Sequence, residues 1–242
     1  MLRRISVVIA GCLLAAVVTH SSNATPVVTN SDAQKYIVLS DTRVDVVINN
    51  DLAQTTVTQH MFNSSTKSIP LSMDIVLPRA AHANSLSAVI NGRAYKAVVR
   101  EKATARSIVS EARKKDRFAA LVEENDGILH LEFSKVLPCS ELSVTFSYIQ
   151  KNSYSDGEFH YSFDTRTEHV KATKKHSFKM AIEVSCTAGI ISAGSSTHRL
   201  EGGVDGKIAE FNVRDITTTQ EVFEFTYRMD LKPGGARDNA AR

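Results

Sequence analysis

The chain has 242 residues, with 29 lysines and arginines against 26 acidic residues, and its formal net charge is +3 at pH 7. A charge balance this close to neutral gives no electrostatic basis for nucleic-acid binding, so we expect no nucleic-acid partner. The length and a hydrophobic fraction of 43% are sufficient for one large domain, or two small ones, with a buried core.

The first 24 residues have the layout of a secretory signal peptide. Arg3 and Arg4 precede the apolar run ISVVIAGCLLAAVV, and the small and polar residues SSNA follow it. This order predicts cleavage after Ala24 and a secreted, extracellular protein, which in a bacterium is periplasmic or at the cell surface. The run is short for a membrane span of about 20 residues, so we predict no stable span after cleavage. An uncleaved anchor and lipidation of Cys12 are the alternatives.

Alternation of apolar residues with period two predicts a series of β-strands from residue 42 onward. TRVDVVINN places Val44, Val46 and Ile48 on one face, and LSMDIVLP ends a similar strand at Pro78. Asn91-Gly92 lies between two such runs. Both of these residues readily adopt positive φ, so the pair predicts a tight hairpin.

Residues 101–117 predict an α-helix in the middle of the chain. The segment contains no Gly or Pro, and its apolar residues recur at helical spacing as Ala105, Ile108, Val109 and Ala112. The opposite side is charged. We expect the apolar stripe to pack against a sheet and the helix to supply no catalytic group.

Strand periodicity returns after the helix and continues almost to the end of the chain. In SELSVTFSYIQ and EVFEFTYRMDL the apolar residues again share one face. About ten strands and one helix predict a mainly β fold, an antiparallel β-sandwich with the helix packed on it. Turn formers at residues 151–157 mark a weak boundary, and residues 233–242 predict a flexible tail.

Two cysteines remain once Cys12 is removed with the signal peptide. Cys139 and Cys186 are an even pair in an exported chain, which permits one disulfide. The alternative is that Cys186 is simply buried, because it continues the apolar face of the preceding strand. The sequence leaves both interpretations open.

A set of short motifs occurs in order between residues 59 and 148. They are a Gln-x-x-x-Asn strand end, a Leu-Pro strand stop, an Asn-Gly hairpin, a Glu-Lys-x-x-Ala helix with a second Ala two turns later, and a last strand from Pro to Tyr. The matching residues are Gln59, Asn63, Leu77, Pro78, Asn91, Gly92, Glu101, Lys102, Ala105, Ala112, Pro138, Val144 and Tyr148. This series resembles the VIT domain, the N-terminal domain of vault protein and inter-alpha-trypsin-inhibitor heavy chains. Cys139 stands where the family often has Gly, which predicts an unusual turn there.

The resemblance implies a VIT domain at residues 25–150 and a following β region at residues 151–232 that completes or extends the sandwich. Larger family members continue into a von Willebrand A domain, which binds a metal through Asp-x-Ser-x-Ser. This sequence has no such motif, so we expect neither that domain nor its metal. The resemblance therefore implies a non-enzymatic module without a cofactor, which binds a protein or an extracellular glycan.

A hydrolase or metal-dependent enzyme is the alternative function. Its site would be assembled from His160, Asp164, His169 and His198, since zinc takes nitrogen and oxygen ligands. The sequence has no His-Glu-x-x-His, no Cys-x-x-Cys and no Gly-x-Ser-x-Gly. Polar residues in a hairpin explain the first three as well.

Two basic runs and one sequon complete the candidate sites. If the two basic runs share a face, they would bind a sulfated glycan, and the alternative is a solvated helix end. The basic residues concerned are Arg113, Lys114, Lys115, Lys174 and Lys175. Asn63-Ser64-Ser65 is an N-glycosylation sequon, which predicts a glycan at Asn63 if the organism is a eukaryote.

Overall fold

The computed structural model describes residues 26–96, 107, 110, 111, 114, 120–125, 127–165, 171–214 and 222–231. Within this part of the chain the protein is mainly β, which confirms the predicted fold class. The elements with complete bounds are β1 (Val27–Val28), α1 (Ser31–Tyr36), β2 (Ile37–Asn49), β3 (Leu52–Asn63), β4 (Ile69–Val76), β5 (His82–Ile90), β6 (Arg93–Lys96), β7 (Ala120–Asn125), β8 (Ile128–Val136), β9 (Glu141–Lys151), β10 (Ser153–Ser155), β11 (Glu158–Asp164), β12 (Lys171–Ser185), β13 (Ile190–Gly194), β14 (Arg199–Asp205), β15 (Ile208–Arg214) and β16 (Val222–Met229).

The described strands form three sheets. Sheet A has the order β1-β4-β8-β7, sheet C has the order β10-β11-β16-β13, and sheet B has eight strands in the order β14-β15-β12-β2-β3-β9-β5-β6. Neighbouring strands are antiparallel except β12 and β2, which run parallel. Because β12, β14 and β15 follow residue 151 and the other five strands precede it, the two predicted segments share one sheet.

Sheets A and C cover the same face of sheet B. Along β3 the buried residues are those at every second position, from Ala53 to Asn63. Near one end of β3, Thr55 Oγ1 bonds Tyr161 Oη of sheet C at 2.9 Å. At the other end, Asn63 Nδ2 donates to the carbonyl of Val136 in sheet A at 3.1 Å. The two small sheets therefore lie side by side on sheet B.

The core beneath sheet C is aromatic. Alternate residues of β11 and β16 point inward and are almost fully buried: Phe159, Tyr161, Phe163, Phe223, Phe225 and Tyr227. The Phe225 ring lies 6.0 Å from Tyr227, 6.4 Å from Phe223 and 5.9 Å from Phe211 of sheet B. Offset and edge-on contacts at these separations are favourable beyond the area that they bury.

The Asn91-Gly92 hairpin is present as predicted. Ile90 pairs with Arg93, and the two turn residues have φ values of 48° and 76°. Positive φ at both positions is the geometry of a type I′ turn, whose twist matches that of the flanking strands.

Helix α1 was not predicted. It has only six residues, and Ala33 is its buried residue. Asn30 lies at its N-cap, but the side chain instead bonds β4, with Nδ2 donating to Pro70 O at 2.9 Å and Oδ1 accepting from Ser72 N at 2.8 Å. A single helical turn is unstable alone, so its tertiary contacts stabilise it and its local sequence gives little signal.

Only part of the predicted helix at residues 101–117 is described. Ser107, Ser110, Glu111 and Lys114 are helical and exposed, and Lys114 Nζ lies 3.2 Å from Glu111 Oε1. Ala105 and Ala112 of the apolar stripe lie outside the described residues, so the packing of that stripe stays a prediction.

The predicted signal peptide at residues 1–24 and the predicted tail at residues 233–242 also lie outside the described residues. Within the described ranges, none of the helical segments has the length and apolar character needed to cross a bilayer.

The disulfide that the sequence left open between Cys139 and Cys186 is not present, since both thiols are free. Cys139 lies two residues before β9 begins. Cys186 follows Ser185. Across the sheet Ser185 pairs with Asn49, Asn49 with Leu52, and Leu52 with Lys151, so Cys186 lies near the far end of β9. The ends of the eleven-residue strand β9 are ten steps of about 3.3 Å apart, or about 33 Å, whereas a disulfide needs Cα atoms within about 7 Å. Cys186 is buried, as the alternative interpretation holds.

The turn at Cys139 has the unusual backbone that the departure from Gly predicts. Cys139 has a φ of 46°, in the left-handed region that an L-residue occupies at a cost of roughly 1–2 kcal/mol. We expect Cys139→Gly to raise the free energy of unfolding by about 1 kcal/mol, as measured by urea denaturation. Cys139→Ser keeps the Cβ atom and should leave stability unchanged. Equal gains in both variants would show that the thiol, and not the backbone, is the source.

Candidate functional site

The two histidines of the alternative enzymatic site that the structure describes, His160 and His198, share no hydrogen bond. His160 Nε2 lies 2.9 Å from Ser155 Oγ in its own hairpin. His198 is buried, its Nδ1 lies 2.9 Å from Thr197 Oγ1, and its ring packs edge-on against Phe223 at 5.4 Å. Asp164 is buried at the end of β11. Among the described residues no hydrogen bond joins these three to one another and no cluster could hold a metal ion, while His169 lies outside them.

Ser195, three residues before His198, has a structural role in the loop after β13. Its Oγ accepts from the backbone N–H of His198 at 3.1 Å and from that of Thr197 at 3.3 Å. This is the local turn that Ser side chains commonly form. The arrangement positions the loop and does not pair a nucleophile with a base.

The predicted polyanion site is described at one residue. Lys114 is exposed and forms its ion pair with Glu111. Arg113 and Lys115 lie outside the described residues, and Lys174 and Lys175 are described only as part of the backbone of β12. A shared face for the two basic runs therefore stays a prediction.

Asn63 is a structural residue whose side chain is fully buried. The two protons on its Nδ2 are shared among the carbonyls of Lys67, Val136 and Leu137 at 2.9–3.1 Å, and its Oδ1 accepts from Ser65 N at 3.0 Å. A glycan would have to be attached to the same buried nitrogen. The glycosylation predicted from the sequon is therefore incompatible with this fold.

The other motif residues that are described lie in the fold as follows. Tyr148 is buried, and burial raises its pKa to about 12, so the phenol stays neutral in the core. Pro78 follows the end of β4, and Pro138 precedes Cys139 in the turn before β9. Gln59 is 1% exposed, and neither its Oε1 nor its Nε2 has a hydrogen-bond partner.

A surface pocket lies where the edge of sheet C meets the β2–β3 turn. It encloses about 480 Å³. We call it the Asn152 pocket, and its lining residues are Asp51, Lys151, Asn152, Ser153, Tyr154, Phe159 and Leu231. These residues come from the β2–β3 turn, from the β9–β10 junction, from β11 and from the segment after β16, so the pocket exists only in the folded chain.

Asn152 lines this pocket and is held by hydrogen bonds. It is 3% exposed, and its backbone N–H donates to Asp51 O at 2.7 Å. Its side-chain Nδ2 donates to Tyr227 Oη at 3.1 Å. Tyr227 Oη in turn donates to the carbonyl of Asn50. The chain of hydrogen bonds ties the β2–β3 turn, β10 and β16 together.

This chain of hydrogen bonds fixes the orientation of the Asn152 amide. The phenol of Tyr227 has one proton, which it gives to Asn50 O, so its oxygen must accept from Asn152. Burial raises the pKa of Tyr227 to about 12, which keeps that proton in place. The Oδ1 of Asn152 therefore points away from Tyr227 and is a buried acceptor without a partner.

The remaining walls of the pocket are aromatic and apolar. Tyr154 is 55% exposed and lies 4.8 Å from Phe159, which itself stacks on Tyr227 at 5.2 Å. Leu231 is 52% exposed. At the rim, Lys151 Nζ lies 3.3 Å from Asp51 Oδ2. The pocket thus combines an apolar surface, one orphan acceptor and one ion pair.

From sequence alone, KNSYSDG marks only a weak boundary, and the pocket that it lines is not predicted. Its one local signal was a Tyr flanked by serines in a turn-rich stretch, which is an unusual place for a large apolar ring. Asp51 and Leu231 are distant in sequence, so their convergence could not be seen without the fold.

The family comparison agrees with the order of the motifs. Residues 39–148 match the sequence model of the vault protein inter-alpha-trypsin domain, VIT. The chain contains a VIT domain. The match runs from β2 to β9 and leaves out the first two residues of β2 and the last three residues of β9. The VIT domain therefore supplies the β2–β3 turn of the Asn152 pocket. These 242 residues contain no von Willebrand A domain.

Three solved structures with a similar arrangement of strands are distant in sequence. A proposed nutrient binding protein of Legionella pneumophila is 9% identical, with 86% of this chain and 70% of that chain covered and a TM-score of 0.47. Yeast LTA4 hydrolase is 9% identical, with 86% and 31% covered and a TM-score of 0.43. An M1 zinc metallopeptidase of Deinococcus radiodurans is 10% identical, with 80% and 43% covered and a TM-score of 0.40.

These likenesses carry no argument about the function of the VIT-domain chain. It spans less than half the length of the hydrolase and of the peptidase. The comparison with curated protein sequences gives no significant match.

Proposed function

We propose that this VIT-domain protein is an exported, non-catalytic binding module that holds an apolar side chain of a partner protein in the Asn152 pocket. The observation that carries the proposal is an apolar pocket lined by the exposed Tyr154 and Leu231, next to the buried, unpaired Oδ1 of Asn152. A buried acceptor without a partner costs about 1–3 kcal/mol, and a donor of the partner recovers this cost only where the pocket lining moves to expose Oδ1.

The chemistry of the pocket supports recognition. The polar atom that the pocket buries is an amide oxygen, which accepts a hydrogen bond and does not exchange protons at ordinary pH. The two charged groups at the rim are paired with each other. An apolar side chain of the partner would fill the space between Tyr154 and Leu231.

The exposed aromatic ring supports a protein partner in particular. Tyr offers a large, stiff contact surface with two rotatable bonds, so it loses little conformational entropy on binding, and Tyr is enriched among the residues that dominate protein interfaces. Leu231 and Phe159 extend the apolar surface around it. Export, which the predicted signal peptide supports, places such a partner outside the cytoplasm.

The test selects peptides from a phage-displayed random library on the immobilised chain and measures their affinity for variants. Tyr154→Ala and Leu231→Ala should each weaken the selected peptides roughly tenfold, which corresponds to about 1.4 kcal/mol. Both residues are exposed, so melting temperatures should change little. Tyr36→Ala is the matched control, since Tyr36 is 43% exposed and lies on α1.

Peptides that bind all three variants equally would contradict a role for the pocket. Binding of heparin oligosaccharides in place of peptides, unaffected by Tyr154→Ala, would instead favour the basic runs and a glycan partner.

A further inference from the structure

Strand β14 leaves one side of sheet B open. It pairs with β15 along all seven residues, and within the described ranges no strand pairs with its other side. All of its residues are exposed except Leu200, which is half-buried. An edge of this length presents backbone donors and acceptors that another strand can use.

The sequence of β14, RLEGGVD, is complementary to itself in the antiparallel direction. When Gly202 lies opposite Gly202 of a second copy, Arg199 lies opposite Asp205 and Leu200 opposite Val204. The third pair, Glu201 opposite Gly203, has no clash of charge. Opposite charges and apolar pairs at facing positions stabilise an antiparallel ladder.

The neighbouring registers are less favourable. Residues that face each other across a two-fold axis normal to the sheet must point to the same face, so both have odd numbers or both have even numbers. The axis therefore passes through a residue, and the alternative registers are centred on residue 201 or 203. Centring on residue 201 places Glu201 opposite itself, and centring on residue 203 places Glu201 opposite Asp205. Both put like charges face to face, which is destabilising. The register centred on Gly202 is thus the favoured one.

The charges needed for this pairing are available. Glu201 is already bonded to Arg214 of β15 at 2.6 Å. Arg199 and Asp205 form no salt bridge with any other described residue, although Arg199, after Arg214, helps to lower the pKa of Glu201. The pairing would therefore give Asp205 an opposite charge, and Arg199 a second one, without breaking a salt bridge.

The apolar side of β14 also fits a second copy. Val204 is 40% exposed, and its neighbour across the ladder is Ala209, which is buried in the core. Val204 and Leu200 therefore lie on the core side of the sheet, and pairing would bring the Val204 of one copy against the Leu200 of the other. A Cβ atom at Gly202 would meet Glu210 O at 1.9 Å, so glycine is required at the proposed axis, where it also leaves the approach of the partner backbone free.

We propose that β14 pairs antiparallel with β14 of a second copy of this chain about a two-fold axis at Gly202. The two eight-stranded sheets then form one continuous sheet across the dimer. The interface is isologous, so each copy supplies both the Arg199 and the Asp205 of a pair, and two such pairs form. This proposal is independent of the Asn152 pocket, which lies at the junction of β9 and β10.

Sedimentation equilibrium of the purified chain tests the dimer. Arg199→Asp places a carboxylate opposite Asp205 in both symmetric pairs, and Asp205→Arg places two guanidinium groups opposite each other. Each should raise the dimer dissociation constant roughly tenfold or more. The double variant Arg199→Asp/Asp205→Arg restores opposite charges and should return the constant to near its original value.

Arg93→Asp is the matched control, because Arg93 is exposed on β6 at the opposite edge of sheet B. It should leave the dissociation constant unchanged. A wild-type chain that stays monomeric at millimolar concentration would overturn the proposal. Failure of the double variant to recover dimerisation, with melting temperatures unchanged, would overturn it as well.

Discussion

Replacing Asn63 by alanine is expected to lower the free energy of unfolding by about 3 kcal/mol or more. The Asn63 amide is fully buried and holds the carbonyls of Lys67, Val136 and Leu137 together with the N–H of Ser65. Alanine removes these partners at once, and a buried carbonyl left without a donor costs about 1–3 kcal/mol. Urea denaturation measures the change.

Asn84→Ala is the control for this substitution. Asn84 is exposed on β5, and its amide reaches Gln54 Oε1 only at 3.5 Å, so its removal should change stability by less than about 0.5 kcal/mol. Similar losses in the two variants would show that the Asn63 side chain does not join the end of sheet A to sheet B.

Replacing Phe225 by alanine is expected to cost about 3–5 kcal/mol. Phe225 is fully buried at the centre of β16, and its ring contacts Phe223, Tyr227 and Phe211. Alanine would leave a cavity lined by three aromatic rings, which stiff neighbouring strands cannot close. Calorimetric melting of the purified variant gives the loss directly.

Phe62→Ala provides the comparison for Phe225. Phe62 lies on the face of sheet B opposite to sheets A and C and is 38% exposed, so its removal opens no enclosed cavity. We expect a loss below about 1.5 kcal/mol. A loss at Phe225 no larger than the loss at Phe62 would mean that sheet C does not pack on sheet B as described.

The alternation of apolar residues predicted which faces are buried because it depends only on the period of a strand. Val44, Val46 and Ile48 are buried as the pattern indicates, and so are Leu142 and Phe146. The Asn-Gly hairpin was equally predictable, since two adjacent residues with positive φ define that turn.

Long-range pairing was not predictable in the same way. The parallel alignment of β12 with β2 joins residues more than 130 positions apart, and nothing in either strand specifies its neighbour. Helix α1 was missed because tertiary contacts, rather than its own six residues, stabilise it.

Asn63 shows how one local pattern can support two opposite interpretations. The sequon predicts an exposed amide, whereas the family motif predicts a structural residue at the end of a strand. Burial decides between them, and burial depends on Val136 and Leu137, which lie far along the chain.

The Asn152 pocket was hidden for a related reason. An orphan acceptor is defined by which neighbouring atoms are already bonded, and Asn152 Nδ2 is bonded to a Tyr hydroxyl 75 residues away. No single-sequence pattern reports that the other half of an amide is unsatisfied.

Chemical-shift mapping with a selected peptide tests the central claim most directly, which is that partners bind in the Asn152 pocket. The account predicts that the side-chain amide of Asn152 and the backbone amides of Ser153 and Tyr154 shift on titration, and that in Tyr154→Ala the shifts of Asn152 and Ser153 need roughly tenfold more peptide. Shifts confined to β14, to the helical residues around Lys114 or to the face of sheet B opposite to sheets A and C, with the Asn152 signals unmoved, would contradict it.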